Sequence, residues 1–279
     1  KSPPKDAILI TNGDNDTYPG WFLQEKGVRK DVLIVNRNLL NLAENVRSLK
    51  KRGLPLEITD EELNKVKPYK TKTGELVLIS DYLIQLLLKQ KKRPVVFAAT
   101  VYNPFKYDVP LKLSGLVYEI GKTNVKIEFG EGDCYIDIER TQEFLHKIFS
   151  FDKFFSTTAD SLSDPIRRLS ENYATTAFAL SRAFIEIENH EAALTETEFA
   201  RRFKDHPMFS YNAGLLNMKL GKRNLAIKIF KELLAMPHMD LGMKKNVATQ
   251  YYEAGMKEEA IKILAECLKE NPSDKEISE

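Results

Sequence analysis

Gly221-Lys-Arg-Asn-Leu-Ala226-Ile-Lys-Ile-Phe230 recurs as Gly255-Met-Lys-Glu-Glu-Ala260-Ile-Lys-Ile-Leu264, an offset of 34 residues. Self-similarity at that period marks stacked helix–turn–helix units, each burying its apolar face on the next. Gly221 and Gly255 fall where the turn between two helices asks for a residue without a Cβ. Ala226 and Ala260 stand where the second helix of a pair approaches the first closely. Twelve residues before each alanine are the small residues Gly214 and Ala248, and Pro272 lies twelve residues after Ala260. A more degenerate unit precedes these two, with Ser181, Phe184, Ala193 and Pro207 in similar places. Three units meet the usual minimum for a stable stack.

The pattern is of the tetratricopeptide type, so residues 151–279 are read as an all-α repeat domain whose partner is a protein or peptide segment. Working back from it, Asp152 to Asp164 has the Ser/Thr/Asp composition of a connector. Residues 1–150 alternate strand and helix signals instead. Ala7-Ile8-Leu9-Ile10, Val32-Leu33-Ile34-Val35 and Pro94-Val95-Val96-Phe97-Ala98-Ala99 are continuous apolar runs, as a sheet covered on both faces requires. Between them the spacing predicts helices over Tyr18 to Glu25 with Thr17 as N-cap, Leu39 to Lys51, a capped start at Thr59-Asp60-Glu61-Glu62, and Tyr82 to Lys91. Leu116 to Ile120, Val125 to Phe129 and Cys134 to Ile136 read as sheet additions. The expected fold class is therefore α/β followed by all-α, a Rossmann-like, mostly parallel sheet and then a short helical array.

Composition excludes several classes. With 42 Lys and Arg against 40 Asp and Glu the formal charge is only +2, which lacks the basic excess of a nucleic-acid binder. The one basic cluster, Lys89 to Arg93, suits the end of a helix. Cys134 and Cys267 offer neither a disulfide framework nor metal spacing. No run reaches the length of a membrane span. The chain starts at Lys1 and reads as a piece of a longer protein or a mature form without its leader.

Asn12-Gly13-Asp14-Asn15-Asp16-Thr17-Tyr18 follows the first strand and opens a helix, at the carboxyl edge where open α/β sheets bind ligands. Asn12, Asp14, Asn15, Asp16, Thr17 and Tyr18 are the ligand-binding candidates. Their oxygens suit sugar hydroxyls, or a divalent cation held by Asp14 and Asp16. A turn with a helix N-cap explains the same composition. No cofactor is otherwise indicated. Adjacent acids disfavour a bare phosphate, and neither a Gly-x-Gly-x-x-Gly nor a Walker loop is present. His146, His190, His206 and His238 lack metal or triad spacing, and there is no Gly-x-Ser-x-Gly elbow. Trp21, Phe22, Tyr102, Phe105 and Tyr107 are either core or a sugar-stacking surface. No complete catalytic constellation emerges, so the chain is not read as an enzyme by itself.

A family resemblance covers nearly the whole chain in order. Asn12 to Pro19, Trp21, Leu23-Gln24-Glu25, Gly27 to Val32 and Val35-Asn36 resemble a stretch in the soluble region of a bacterial membrane-protein family. Its members are themselves similar to protein O-mannosyltransferases. Arg93 to Ala98 with Leu111 to Tyr118 resembles its second block, and Arg167 to Tyr173 the start of its helical repeats. The resemblance implies an extracytoplasmic appendage, periplasmic or on the outer membrane face, contacting acceptor protein or glycan. The family's catalytic acid is expected between membrane helices that this stretch does not include. A free-standing relative behind a signal peptide is the other form implied. Gly20 departs from the family pattern, standing where a bulky apolar residue is usual, which predicts a first helix that starts less firmly. The rival expectation is a metal-dependent enzyme acting on sugar or phosphate through Asp14 and Asp16.

Overall fold

The computed structural model of the chain describes residues 1–129, 132–157, 162–204, 206–236 and 239–273. They divide into two compact units, Lys1–Ala183 and Phe184–Glu279.

The first unit is built on a seven-stranded mixed sheet. Three buried strands, β1 (Ile8–Thr11), β2 (Leu33–Asn36) and β5 (Val95–Ala98), run parallel in the order β2-β1-β5. These are the three apolar runs, and helix-containing crossovers join them. The first crossover is α1 (Asp14–Glu25). The second carries α2 (Ala43–Lys51), α3 (Asp60–Lys65), a separate ribbon of β3 (Tyr69–Lys70) and β4 (Leu76–Val77), and α4 (Ile79–Gln90). Beyond β5 the sheet continues as β7 (Val117–Ile120), β6 (Leu111–Ser114), β9 (Gly132–Ile136) and β8 (Lys126–Phe129). Three of the six pairings are parallel and three antiparallel, so the sheet is mixed rather than mostly parallel. The reason is local: two-residue and very short links after β6 and β8 permit only antiparallel return. Phe97 lies fully buried and stacks on Tyr107 at 5.2 Å; a side chain so buried contributes about 1.5–3 kcal/mol.

Local chemistry revises three expected helices. α1 begins at Asp14, with Gly13 as N-cap, so Thr17 lies inside it. Gly20 is explained by proximity: a Cβ there would come within 2.6 Å of Ile34 Cδ1, so α1 lies close on β2. The Leu39–Lys51 stretch is broken. Asn36 Oδ1 accepts the backbone N–H groups of Asn38 and Leu39, pinning a tight 3-10 turn over Asn38–Asn41. Leu42 then takes an extended conformation and is exposed, and α2 starts after it. α4 starts at Ile79 rather than at Tyr82, with Asp81 in its first turn. The Thr59–Glu62 capping box forms as the sequence implies. The basic stretch is structural, since Lys92 pairs with Glu57 and the Arg93 guanidinium donates to the carbonyls of Asp6 and Asp31. Among the described residues, no helix is long and apolar enough to cross a membrane.

α5 (Ile138–Glu143), α6 (Asp152–Ser156) and most of α7 (Asp164–Glu186) complete the first unit, and the division falls within α7. Part of the expected connector, residues 158–161, lies outside the described residues. The second unit holds α8 (His190–Arg201), α9 (Pro207–Lys219), α10 (Arg223–Leu234), α11 (Leu241–Glu253) and α12 (Lys257–Glu270). α9 pairs with α10 and α11 with α12 around a shared core of Phe230, Leu233, Val247, Tyr251 and Ile263. Gly221 and Gly255 sit at φ of +72° and +78° in the intervening turns. Ala226, Ala248 and Ala260 are buried. The degenerate unit has Glu188 five residues before its alanine, where the others have glycine, and Glu188 takes the same left-handed conformation at φ +59°. Ser181, Phe184 and Ala193 are all buried, consistent with their assigned places.

Candidate functional site

Between β1 and β5 the chain direction of the crossovers reverses, because β2 lies on one side of β1 and β5 on the other. Loops leaving such neighbours diverge and leave a crevice at their carboxyl ends. Asn12 and Gly13 leave β1 there, and Thr100 lies just beyond β5. A cleft of about 250 Å³ opens at this point, lined by Asn12 to Asp16, Thr100 and three residues of α7, Arg168, Leu169 and Asn172.

Within the cleft the two acids are used differently. Asp16 accepts the backbone N–H of Asn12 at 2.8 Å and of Gly13 at 2.9 Å, and its carboxylate also takes the Thr100 hydroxyl. It therefore satisfies donors ahead of the first turn of α1, ties β1 to the loop after β5, and complements the helix dipole. Asp14 is freer: its contact is Asn36 Nδ2 at 3.4 Å. Thr17 is fully buried, its hydroxyl bonded to Thr11 Oγ1 at 2.6 Å and to the Gly13 carbonyl. Tyr18 is half exposed and packs near Trp21, apart from the cleft lining. Of the six candidates the structure thus gathers Asn12, Asp14, Asn15 and Asp16 around the cleft, with Thr17 beneath and Tyr18 outside.

The rim is held by a buried ion cluster that the sequence did not advertise. Asp81 accepts from Arg37 Nη2 at 3.0 Å, Lys106 Nζ at 2.7 Å, Tyr107 OH at 3.0 Å and the Leu78 N–H at 3.2 Å. Burial pushes the Asp81 carboxyl up, but these donors, Lys106 foremost, outweigh it and hold the group below its ordinary range. Burial keeps the Tyr107 hydroxyl protonated well above its usual range. Arg37 also donates to the Tyr102 carbonyl, and the Tyr102 N–H reaches Asn12 Oδ1 at 3.5 Å. The cluster therefore fixes the loop that carries Thr100 against the loop that carries Asn12.

Thr100, Arg168 and Asn172 escaped sequence reasoning as site residues. Arg168 is exposed and, among the described residues, makes no ion pair, so it lines the cleft with Asp14 and Asn15 as a cation unpaired within them. The only sequence signal for it was its place in the Arg167–Tyr173 block. Among the suggested stacking aromatics, Phe22 and Tyr102 are exposed, whereas Tyr107 packs on Phe97 and Phe105 on Tyr118. His146, His190 and His206 are dispersed, His206 capping α9, and His238 lies outside the described residues. Among the described residues, no group of three or more His, Cys, Asp and Glu side chains is placed to hold a metal ion. Cys134 and Cys267 are buried free thiols.

Because Asp16 serves the fold, Asp16→Ala is expected to lower stability by about 1–2 kcal/mol, the usual cost of a lost helix cap. Asp14→Ala should stay within about 0.5 kcal/mol. Thermal melts with and without calcium, magnesium or manganese check this. The metal-site reading requires instead a cation-dependent rise in Tm that vanishes in the double variant.

Comparison with known proteins follows the two units. Residues 1–91 match the family profile described as TMEM260-associated domain 2, and residues 246–274 match a tetratricopeptide repeat. The crystal structure of MamA is similar over 48% of this chain and 88% of that chain, at 17% identity and a TM-score of 0.32, too slight a likeness to carry an argument. No curated protein matches the chain. A TMEM260-associated domain joined to tetratricopeptide repeats marks a protein-interaction module.

Proposed function

We infer that this chain is a non-catalytic binding module, the soluble extracytoplasmic appendage, or a free-standing relative, of an O-mannosyltransferase-like membrane glycosyltransferase. The similarity of residues 1–91 to a domain associated with TMEM260, a protein O-mannosyltransferase, supports the association. In this reading the β2-β1-β5 core is a Rossmann-like half whose cleft takes hydroxyl-rich ligands such as glycans. Asn12, Asp14, Asn15 and Arg168 are its donors and acceptors, and Asp16 and Thr17 shape its floor. The helical repeats hold a protein segment.

The observation that carries the protein-binding part is the surface of α9. Tyr211, Leu215 and Met218 follow one another at helical spacing and are partly buried against the repeat core, with part of each side chain left to solvent. Tyr211 lies near Glu253 of the neighbouring α11; burial first and then that carboxylate raise its hydroxyl pKa. α9 and α11 thus adjoin and offer an apolar strip edged by charge. Selection of a random peptide display library on the whole chain tests this. Enriched peptides should share a motif and bind Tyr211→Ala plus Leu215→Ala about tenfold more weakly, the loss of roughly 1.4 kcal/mol. Absence of enrichment, or binding indifferent to both substitutions, overturns the reading.

A further inference from the structure

The β3–β4 ribbon carries a feature that neither the cleft nor the repeats use. It is a two-stranded sheet of its own, with Tyr69 opposite Val77 and Lys70 opposite Leu76. The link is a tight turn in which the Thr71 N–H bonds the Glu75 carbonyl at 2.8 Å and Gly74 sits at φ +87°. From Lys67 to Leu76 every residue but Thr71 is exposed. Tyr69 and Leu76 are 51% and 54% exposed, although each is large and apolar enough to be buried elsewhere. Lys67, Lys70 and Lys72 share this exposed stretch with them, and among the described residues none of the three makes an ion pair with a carboxylate. Within Lys67–Leu76 three lysines stand against one carboxylate, Glu75; on α3, Glu61 is exposed, Glu62 caps Thr59 and Asp60 meets Arg47.

We propose that this ribbon docks on an anionic lipid surface. Lysines face the phosphate headgroups while Tyr69 and Leu76 enter the interfacial layer between them. The charges are complementary, and clustered lysines near a negative leaflet each add attraction. Tyrosine is favoured at the level of the headgroups, and lysine stems can lie along apolar surface with their ammonium groups in water. Shape decides against an acidic protein as the partner. By the register of the pair Tyr69 and Leu76 lie on opposite faces of the exposed ribbon, so a folded protein would need a cleft that clasps both faces. A fluid interface surrounds a projecting ribbon without such a preformed site.

Co-sedimentation of the whole chain with vesicles tests the proposal. One set is phosphatidylcholine alone, the other contains about a third phosphatidylglycerol. The chain should sediment with the anionic set and not the neutral one, and release as salt is raised. Lys67→Glu, Lys70→Glu and Lys72→Glu together should weaken partition by about tenfold or more. Tyr69→Ser plus Leu76→Ser, which leaves charge unchanged, should weaken it several-fold. All these positions are exposed, so the melting temperature should not move, and a melt of each variant verifies that. The proposal is overturned by failure of the wild-type chain to bind anionic vesicles, or by binding that survives the triple substitution. It is equally overturned by binding that needs the lysines but not Tyr69 and Leu76, which is adsorption by charge alone without entry of the ribbon into the interfacial layer.

Discussion

Asp81→Ala is expected to destabilise the first unit by about 3 kcal/mol, because it strands two largely but not fully buried cations. The Asp81 side chain is 5% exposed, and those of Arg37 and Lys106 are 12% and 19% exposed. Without the carboxylate, the guanidinium and the ammonium face each other with no counter-charge, and the Tyr107 hydroxyl loses its acceptor. A fall in Tm on the order of 10 °C should follow for a unit of this size. Asp81→Asn keeps one acceptor oxygen and should cost less. The pH dependence has a definite sign. Since the folded-state pKa is depressed, the stabilisation is fully present above the ordinary carboxylate range. It is lost as pH falls through the depressed value, and Asp81→Ala should flatten that part of the profile. Because Arg37 and Lys106 anchor the rim, the Thr100 and Tyr102 amides should also exchange faster in the variant.

Phe230→Ala should be comparably damaging in the second unit, at about 3–5 kcal/mol. Phe230 is 1% exposed and lies between Tyr211 and Tyr251, with ring centroids at 6.0 and 6.3 Å. It also fills the space left by Gly214, where a Cβ would come within 2.3 Å of Phe230 Cε1. The converse substitution, Gly214→Ala, should cost about 1–3 kcal/mol by overpacking. The two sites are therefore coupled. Gly214→Ala should cost less in a Phe230→Leu background, and additive losses in urea melts of the four-member cycle would contradict the contact.

The legible parts of the fold were those whose physics is local or periodic. The 34-residue echo places Gly221, Ala226, Gly255 and Ala260, and each is where the helix pair needs it. The three parallel strands show as unbroken apolar runs because both their faces are covered. β6 and the β3–β4 ribbon were missed. Leu111-Lys112-Leu113-Ser114 is too short an alternation to stand out, and a lysine-rich stretch with two paired residues per strand has no apolar signal. The helix over Leu39–Lys51 was overextended because Asn36 acts across the boundary through its side chain.

At the site the local half was legible and the distant half was not. Asn12 to Asp16 announce a turn after a strand, and Asp16, at the third position of α1, accepts the N–H groups of Asn12 and Gly13. Thr100 reaches Asp16 across 84 residues of sequence, and Arg168 and Asn172 come from a helix still farther along. The same holds for Asp81, whose sequence context reads as a helix start, while its charged and phenolic partners come from two distant segments, Arg37 after β2 and Lys106-Tyr107 after β5. No periodicity reports such convergence.

In the proposed function the repeats bind a protein segment along α9 and α11. Titrating a display-selected peptide into the isotopically labelled whole chain, and mapping the amide shifts, tests it most directly. Shifts should cluster on Pro207–Lys219 and Leu241–Glu253 and disappear in Tyr211→Ala plus Leu215→Ala. Shifts confined to Lys1–Ala183, or a map that the double substitution leaves unchanged, would contradict it.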